Sequence, residues 1–105
     1  RGVAVMAGAV INAESQIGDL AIVNTGAVVD HDCRLGAACH LGPAAALAGG
    51  VSLGERAFLG VGARAIPGVT IGADSLVGAG GVVARDLPDG VLAIGVPAKI
   101  KGDRS

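Results

Sequence analysis

Tryptophan and tyrosine are absent from this chain, and Phe58 is its one aromatic residue. Small cores usually lean on the large area that aromatic side chains bury, so the core here has to be aliphatic. Charge is also scarce. Only 16% of the 105 residues are Asp, Glu, Lys or Arg, and eight basic residues against nine acidic ones leave a net charge of −1. That balance speaks against nucleic-acid binding, which shows as a basic patch with stacking aromatics. About half of the chain is hydrophobic, which excludes a disordered polar chain. Four prolines, with no glycine at every third position, exclude a collagen. Thr25 and Thr70 are the only threonines, too few for the threonine ranks of an ice-binding face. Two cysteines, Cys33 and Cys39, make neither a disulfide framework nor a zinc site.

The longest stretch without a charged side chain is Leu35 to Gly54, long enough to cross a membrane. It holds His40, Pro43 and five glycines, and a regular repeat runs straight through it, so no membrane span is expected. No signal-peptide pattern opens the sequence, and a cytoplasmic location is the default expectation. The sequence opens on Arg1, which suggests a piece of a longer protein.

What is abundant is glycine, with 19 residues, and a period of six. Starting at Val5, every sixth residue is aliphatic: Val5, Ile11, Ile17, Val23, Val29, Leu35, Leu41, Leu47, Leu53, Leu59, Ala65, Ile71, Val77 and Val83. The residue after each is usually Gly, Asn or Asp, types that tolerate a left-handed backbone, and these are expected to turn corners. Four residues after each aliphatic comes a small residue, with Leu87 the one break in that run. A helix of 3.6 residues per turn cannot keep a six-residue stripe on one face, whereas short strands joined by corners can. Three sides close a triangular coil of 18 residues, and stacked coils pair as parallel strands about 4.8 Å apart. Residues i and i+18 then stand above one another. The repeat is expected to span residues 1–88, leaving 89–105 as a tail over the solenoid end. In the tail, Pro88-Asp89-Gly90 reads as a turn and Val91 to Ile94 as a short strand.

The densest polar segment is Asn24-Thr25-Gly26-Ala27-Val28-Val29-Asp30-His31-Asp32-Cys33. A histidine beside carboxylates suits general-base work, since a carboxylate can favour the imidazolium and fix the ring's tautomer; a solvated polar corner is the plain alternative. Strand neighbours point to opposite faces, so adjacency alone puts neither Asp on the ring. Call the corners at 24, 42, 60 and 78 the A edge, and those at 12, 30, 48, 66 and 84 the B edge. His31 then lies just past a B corner with Gly49 directly above it. Glycine there leaves space and a bare N–H, a candidate oxyanion donor or simply another corner glycine. Asn24 and His40 lie at the A edge, a full triangle side away, where a rotationally symmetric oligomer would bring them to a neighbour's His31 and Gly49. Cys33 and Cys39 fall in inward small slots and read as core.

These segments, with Gly49-Gly50-Val51 and Gly95-Val96-Pro97-Ala98-Lys99, resemble the hexapeptide-repeat acyltransferases of the sialic-acid O-acetyltransferase and bacterial UDP-4-amino-sugar N-acetyltransferase type. The resemblance implies an all-β, left-handed parallel β-helix, although the usual crossover rule gives a right hand. It implies an acetyl-CoA-dependent transferase acting as a homotrimer on an amine or hydroxyl of a sugar or nucleotide-sugar, without a metal. His31 would be the base, supported by Asp32, and Asn24 would orient the acceptor or the base. His40 would lie near the acetyl group and the Gly49 amide would face the thioester oxygen. The CoA path would follow the A edge past Val61 and Ala79, with Arg85 or Lys99 at the phosphates. Family members usually carry an N-terminal domain for the nucleotide-sugar, and this sequence shows none; Leu41-Gly42-Pro43-Ala44 also lacks the expected serine. Two other classes fit less well: a zinc-dependent carbonic anhydrase, which wants three protein ligands where this chain has two histidines, and a non-catalytic trimerising or CoA-binding solenoid.

Overall fold

The computed structural model of the chain describes residues 2–104. Arg1 and Ser105, the outermost residues of the two expected segments, lie outside the described residues. Fourteen two-residue strands follow the hexad register. One sheet stacks β1 (Ala4–Val5), β4 (Ile22–Val23), β7 (His40–Leu41), β10 (Phe58–Leu59) and β13 (Leu76–Val77). A second stacks β2 (Val10–Ile11), β5 (Val28–Val29), β8 (Ala46–Leu47), β11 (Arg64–Ala65) and β14 (Val82–Val83). The third holds β3 (Gln16–Ile17), β6 (Arg34–Leu35), β9 (Ser52–Leu53) and β12 (Thr70–Ile71). Every pair among these is parallel, with residue i opposite i+18, as in Val23↔Leu41 and Leu41↔Leu59. The result is a triangular parallel solenoid. The charge-free stretch from Leu35 to Gly54 forms one coil of it, so its apolar residues face a protein core.

In each strand the second residue points inward and the first outward. Val23, Val29, Leu41, Leu47, Leu59, Ile71, Val77 and Val83 are essentially fully buried. The small slots fill the rest of the bore with Ala21, Ala27, Ala45, Ala57 and Ala63, and Cys33 and Cys39 lie among them as free buried thiols. No room remains for aromatic rings, and Phe58 points outward. The first coil is the less buried end, with Val5 half exposed.

The corners work differently from the sequence expectation. The left-handed residue is the third after each inward aliphatic, not the first. Gly8, Gly26, Gly50, Gly62, Gly68 and Gly80 take that slot, and so do Glu14, Leu20, Asp32, Ala38, Ala44, Arg56 and Asp74, all with φ near +60°. The first slot is governed by space. A Cβ on Gly18, Gly36, Gly54 or Gly72 would meet the backbone of the next coil at under 3 Å. These four are all the first-slot residues of the third edge, the C edge, between the third and first sheets. At the B edge the same slot holds Asn12, Asp30, Ala48, Ile66 and Ala84, so side chains are accommodated there.

The repeat also runs past residue 88. Ile71 bridges Leu87, and Val77 pairs with Ala93, both at an offset of 16 instead of 18. The corner after Val83 is therefore two residues short. Leu87 breaks the small-residue run because it has moved into an inward aliphatic slot; it is buried, as are Val91 and Ala93. The turn at Pro88-Asp89-Gly90 keeps the left-handed third slot, at Gly90. The strand β15 (Val91–Ile94) extends the first sheet, and β16 (Lys99–Asp103) folds back antiparallel onto it. Between them, Val82 N–H donates to Gly95 C=O and Ala98 N–H to Val82 C=O, so residues 95–98 run beside Val82 of the second sheet.

Packing and backbone conformation predict different costs at two glycines. Gly54→Ala drives a methyl to 2.5 Å from the Ala73 nitrogen and is expected to cost about 3 kcal/mol or more, as overpacking against backbone does. Gly62→Ala meets nothing within 4 Å and strains only φ, for a cost of about 1 kcal/mol. Denaturant unfolding of the two variants checks the order; equal losses would place the constraint in φ alone.

Candidate active site

The B-edge turn between β5 and β6 carries the densest chemistry. Asp30 occupies its first slot, and its Oδ1 accepts the His31 backbone N–H at 2.7 Å and the Asn12 amide, one coil away, at 3.3 Å. These donors, the backbone one foremost, hold the Asp30 carboxyl below its ordinary range. Ser15 ties the same two coils together, donating its hydroxyl to Asp30 C=O at 2.8 Å and accepting Cys33 N–H at 3.2 Å. The turn that presents His31 is thus fixed from both sides.

Asp32 sits in the left-handed slot, at φ 59°, which swings its side chain to the same outer side as His31. Its Oδ2 lies 3.0 Å from His31 Nδ1. Strand alternation does not apply here, because both residues belong to the turn. A carboxylate on Nδ1 places the neutral ring's proton there and leaves Nε2 with its lone pair, and Nε2 has no hydrogen-bond partner among the described residues. The Asp32 hydrogen bond first, and the field of Asp30 second, raise the imidazole pKa above its ordinary 6.5. Both side chains of the pair are about two-thirds exposed, so the ring is open to a ligand.

Gly49 lies where the register puts it. A Cβ there would stand 2.9 Å from His31 Cε1 and 3.1 Å from Nε2, so the imidazole rests against the bare Cα. The Gly49 N–H donates to no acceptor among the described residues. The same is true of the Val61 and Ala79 amides at the A edge.

Asn24 and His40 also come together, one coil apart, with Asn24 Nδ2 at 3.3 Å from His40 Nε2. Within one chain Asn24 therefore touches neither His31 nor the space in front of it; the second sheet separates the two edges. Phe58 was not singled out from the sequence. It pairs with His40 at i+18, and the two rings pack with centroids 4.5 Å apart, tilted by 34°. The signal was available, since the chain's one aromatic stands 18 residues after its second histidine.

Arg85 and Lys99 line one cleft of about 380 Å³, with Asp86, Leu87, Pro97 and Ala98 among its walls. Arg85, however, follows β14 and stands in the B-edge column of His31 and Gly49, not beyond Val61 and Ala79 at the A edge. The larger clefts lie elsewhere, at the C edge around Arg56, Asp74 and Arg104 and across the polar third sheet. Among the described residues no three His, Cys, Asp or Glu side chains gather where they could share a metal ion. Burial pushes the Cys39 thiol up to about 11 and raises Cys33 as well, which leaves neither as a nucleophile at neutral pH.

No family model and no curated protein matches the chain. Solved structures do. PerB from Caulobacter crescentus, solved with CoA and GDP-perosamine, is 79% identical with a TM-score of 0.91, over 96% of this chain and 52% of that one. The chain belongs to the hexapeptide-repeat acyltransferases. The solenoid is accordingly a left-handed parallel β-helix. A perosamine N-acetyltransferase from the same organism, with one histidine changed to asparagine and the same ligands bound, matches equally well, at 79% identity and TM-score 0.91 over 97% and 51% of the two chains. The acetyltransferase domain of PglB from Neisseria gonorrhoeae, solved with acetyl coenzyme A, is 35% identical with a TM-score of 0.74, over 94% and 51%. The chain spans about half the length of each of these acyltransferase structures.

The hydrogen bond to Asp32 gives a pH prediction. A carboxylate on Nδ1 favours the charged ring, so His31 is expected to titrate above 6.5, and Asp32→Asn to bring the midpoint down. Proton NMR of the ring C–H signals measures both; an unmoved midpoint in Asp32→Asn would remove Asp32 from the site.

Proposed function

We propose that this chain is the catalytic solenoid of an acetyl-CoA-dependent sugar N-acetyltransferase, acting on the amine of a nucleotide-linked amino sugar with His31 as general base. The observation that carries the reading is the His31–Asp32 pair resting on Gly49, in a chain 79% identical to an enzyme solved with CoA and GDP-perosamine.

His31 Nε2 accepts the proton as the acceptor nitrogen attacks the thioester carbon, and Asp32 stabilises the imidazolium that forms. The Gly49 N–H faces the oxygen on which negative charge develops, where a fixed donor lowers the barrier. The imidazolium then returns its proton as the thiolate leaves. Val61 and Ala79 offer unpaired amides for the carbonyls of the pantetheine arm, and the cleft of Arg85 and Lys99 takes phosphate.

Two of the three outer faces support a homotrimer. Ile22, His40, Phe58 and Leu76 project from the first sheet, and Val10, Val28, Ala46, Arg64 and Val82 from the second, whereas Gln16, Arg34, Ser52 and Thr70 project from the third. Covering these two largely apolar faces in a cyclic assembly leaves the polar one in water, and we place one subunit's A edge against the next one's B edge in that assembly. The relatives are about twice as long, and we assign acceptor choice to a further domain of the kind the family carries. Reduced, buried cysteines fit a bacterial cytoplasm.

His31→Ala in the intact protein is expected to lower acetyl transfer by about 10² to 10⁴-fold, the usual share of a general base, with acetyl-CoA binding retained. A steady-state assay and calorimetry check this. Near wild-type transfer would end the base assignment, and a protein that binds no acetyl-CoA would be a scaffold.

A further inference from the structure

The two histidines present opposite chemistry to solvent, and the hydrogen bonds at the A edge say which. The Thr25 backbone N–H lies 2.8 Å from Asn24 Oδ1. A backbone N–H can only donate, so this contact fixes which end of the planar amide is oxygen. The other end, Nδ2, is then a donor, and it points at His40 Nε2 across 3.3 Å. A donor facing Nε2 needs a lone pair there. In a neutral imidazole one nitrogen accepts and the other carries hydrogen, so the proton of His40 sits on Nδ1. The ring stacks on Phe58, which covers one face and keeps it from swinging off the amide.

His40 Nδ1 has no hydrogen-bond partner among the described residues. The side chain is half-buried, yet none of its polar atoms is both buried and unpartnered. The Nδ1–H therefore reaches the surface. His31, by contrast, has Nδ1 held by Asp32 and turns its Nε2 lone pair outward. The same tautomer thus exposes an acceptor at the B edge and a donor at the A edge.

We propose that Asn24 is a positioning residue that fixes His40 as an outward Nδ1–H donor, so that His40 binds an uncharged acceptor, a thioester or amide carbonyl of the acyl donor, and does not act as a second base. The identity of that acceptor rests on the acetyl-transfer reading; the tautomer does not.

Long-range ¹⁵N–¹H NMR of the unliganded protein at pH 8 reads the tautomer directly. Wild type is expected to show a pyrrole-type Nδ1 and a pyridine-type Nε2 on His40. Asn24→Asp keeps the acceptor for Thr25 N–H, as Asp30 does for His31 N–H at the equivalent corner, but offers His40 only oxygens. It is expected to move the ring proton to Nε2 or to charge the ring, and to lower kcat/KM for acetyl-CoA about 10-fold, the scale of one lost hydrogen bond. A wild-type ring protonated on Nε2, or an Asn24→Asp spectrum unchanged at His40, would overturn the proposal. The wild-type spectrum decides it even if the variant fails to fold. The expected tautomer in a protein without acetyl transfer would sink the acetyl-transfer reading and leave the Asn24 assignment standing.

Discussion

The constraint on which the molecule depends is the closure of each coil in 18 residues. Parallel hydrogen bonding then places residue i+18 over residue i, one strand spacing away. This stacking builds the core, because each inward aliphatic meets another aliphatic above and below it. It also builds the polar contacts outside. Asn12 reaches Asp30, Arg56 pairs with Asp74, Gly49 lies over His31 and Phe58 over His40, each at a separation of 18. No insertion interrupts the register from β1 to β14, so no loop folds over the edges there and the outer contacts come from vertical neighbours.

The three edges are not equivalent, and their differences decide where chemistry can go. At the C edge the first corner slot is glycine in all four coils, because the next coil's backbone occupies the space of a Cβ. The charged residues there, Glu55, Arg56 and Asp74, pair with each other. The B edge has room in that slot, and Asp30 uses it to brace the turn that exposes His31. The A edge is mixed: Asn24 in the lower part, then Gly42, Gly60 and Gly78. A Cβ on Gly42 or Gly60 would also meet the next coil's backbone at under 3 Å, so the A edge has room in this slot only lower down, at Asn24, while the B edge accepts side chains throughout.

Most of the fold was legible in the sequence because the hexad is unbroken and one residue type suffices for each inward slot. The His31–Gly49 column follows from counting by 18, and the same count puts Arg85 above them, although the resemblance sets it at the end of the A-edge path. What could not be read was local backbone conformation. The sequence assigns the left-handed residue to the slot richest in Gly, Asn and Asp, but that enrichment has another cause, the lack of space beside the next coil. The true left-handed slot tolerates Ala38, Ala44 and Leu20 and so leaves weak traces. Asp32 depends on this detail, since only its positive φ brings the carboxylate to the imidazole. The two-residue deletion after Val83 was equally hidden, although Leu87 in a small slot marked it.

The separation of the two histidines follows from the same geometry. A strand of the second sheet stands between the A and B edges, so the outward lone pair of His31 and the outward N–H of His40 do not meet within one copy of the chain. The outward faces of the first two sheets carry Ile22, His40, Phe58 and Leu76, and Val10, Val28, Arg64 and Val82, and in the proposed homotrimer other copies cover them. The Phe58 ring packs on His40 and projects from the first sheet, where Ile22 is the other strand neighbour of His40. In the proposed homotrimer the column Ile22, His40 and Phe58 would serve both the packing of that face and the placing of the imidazole.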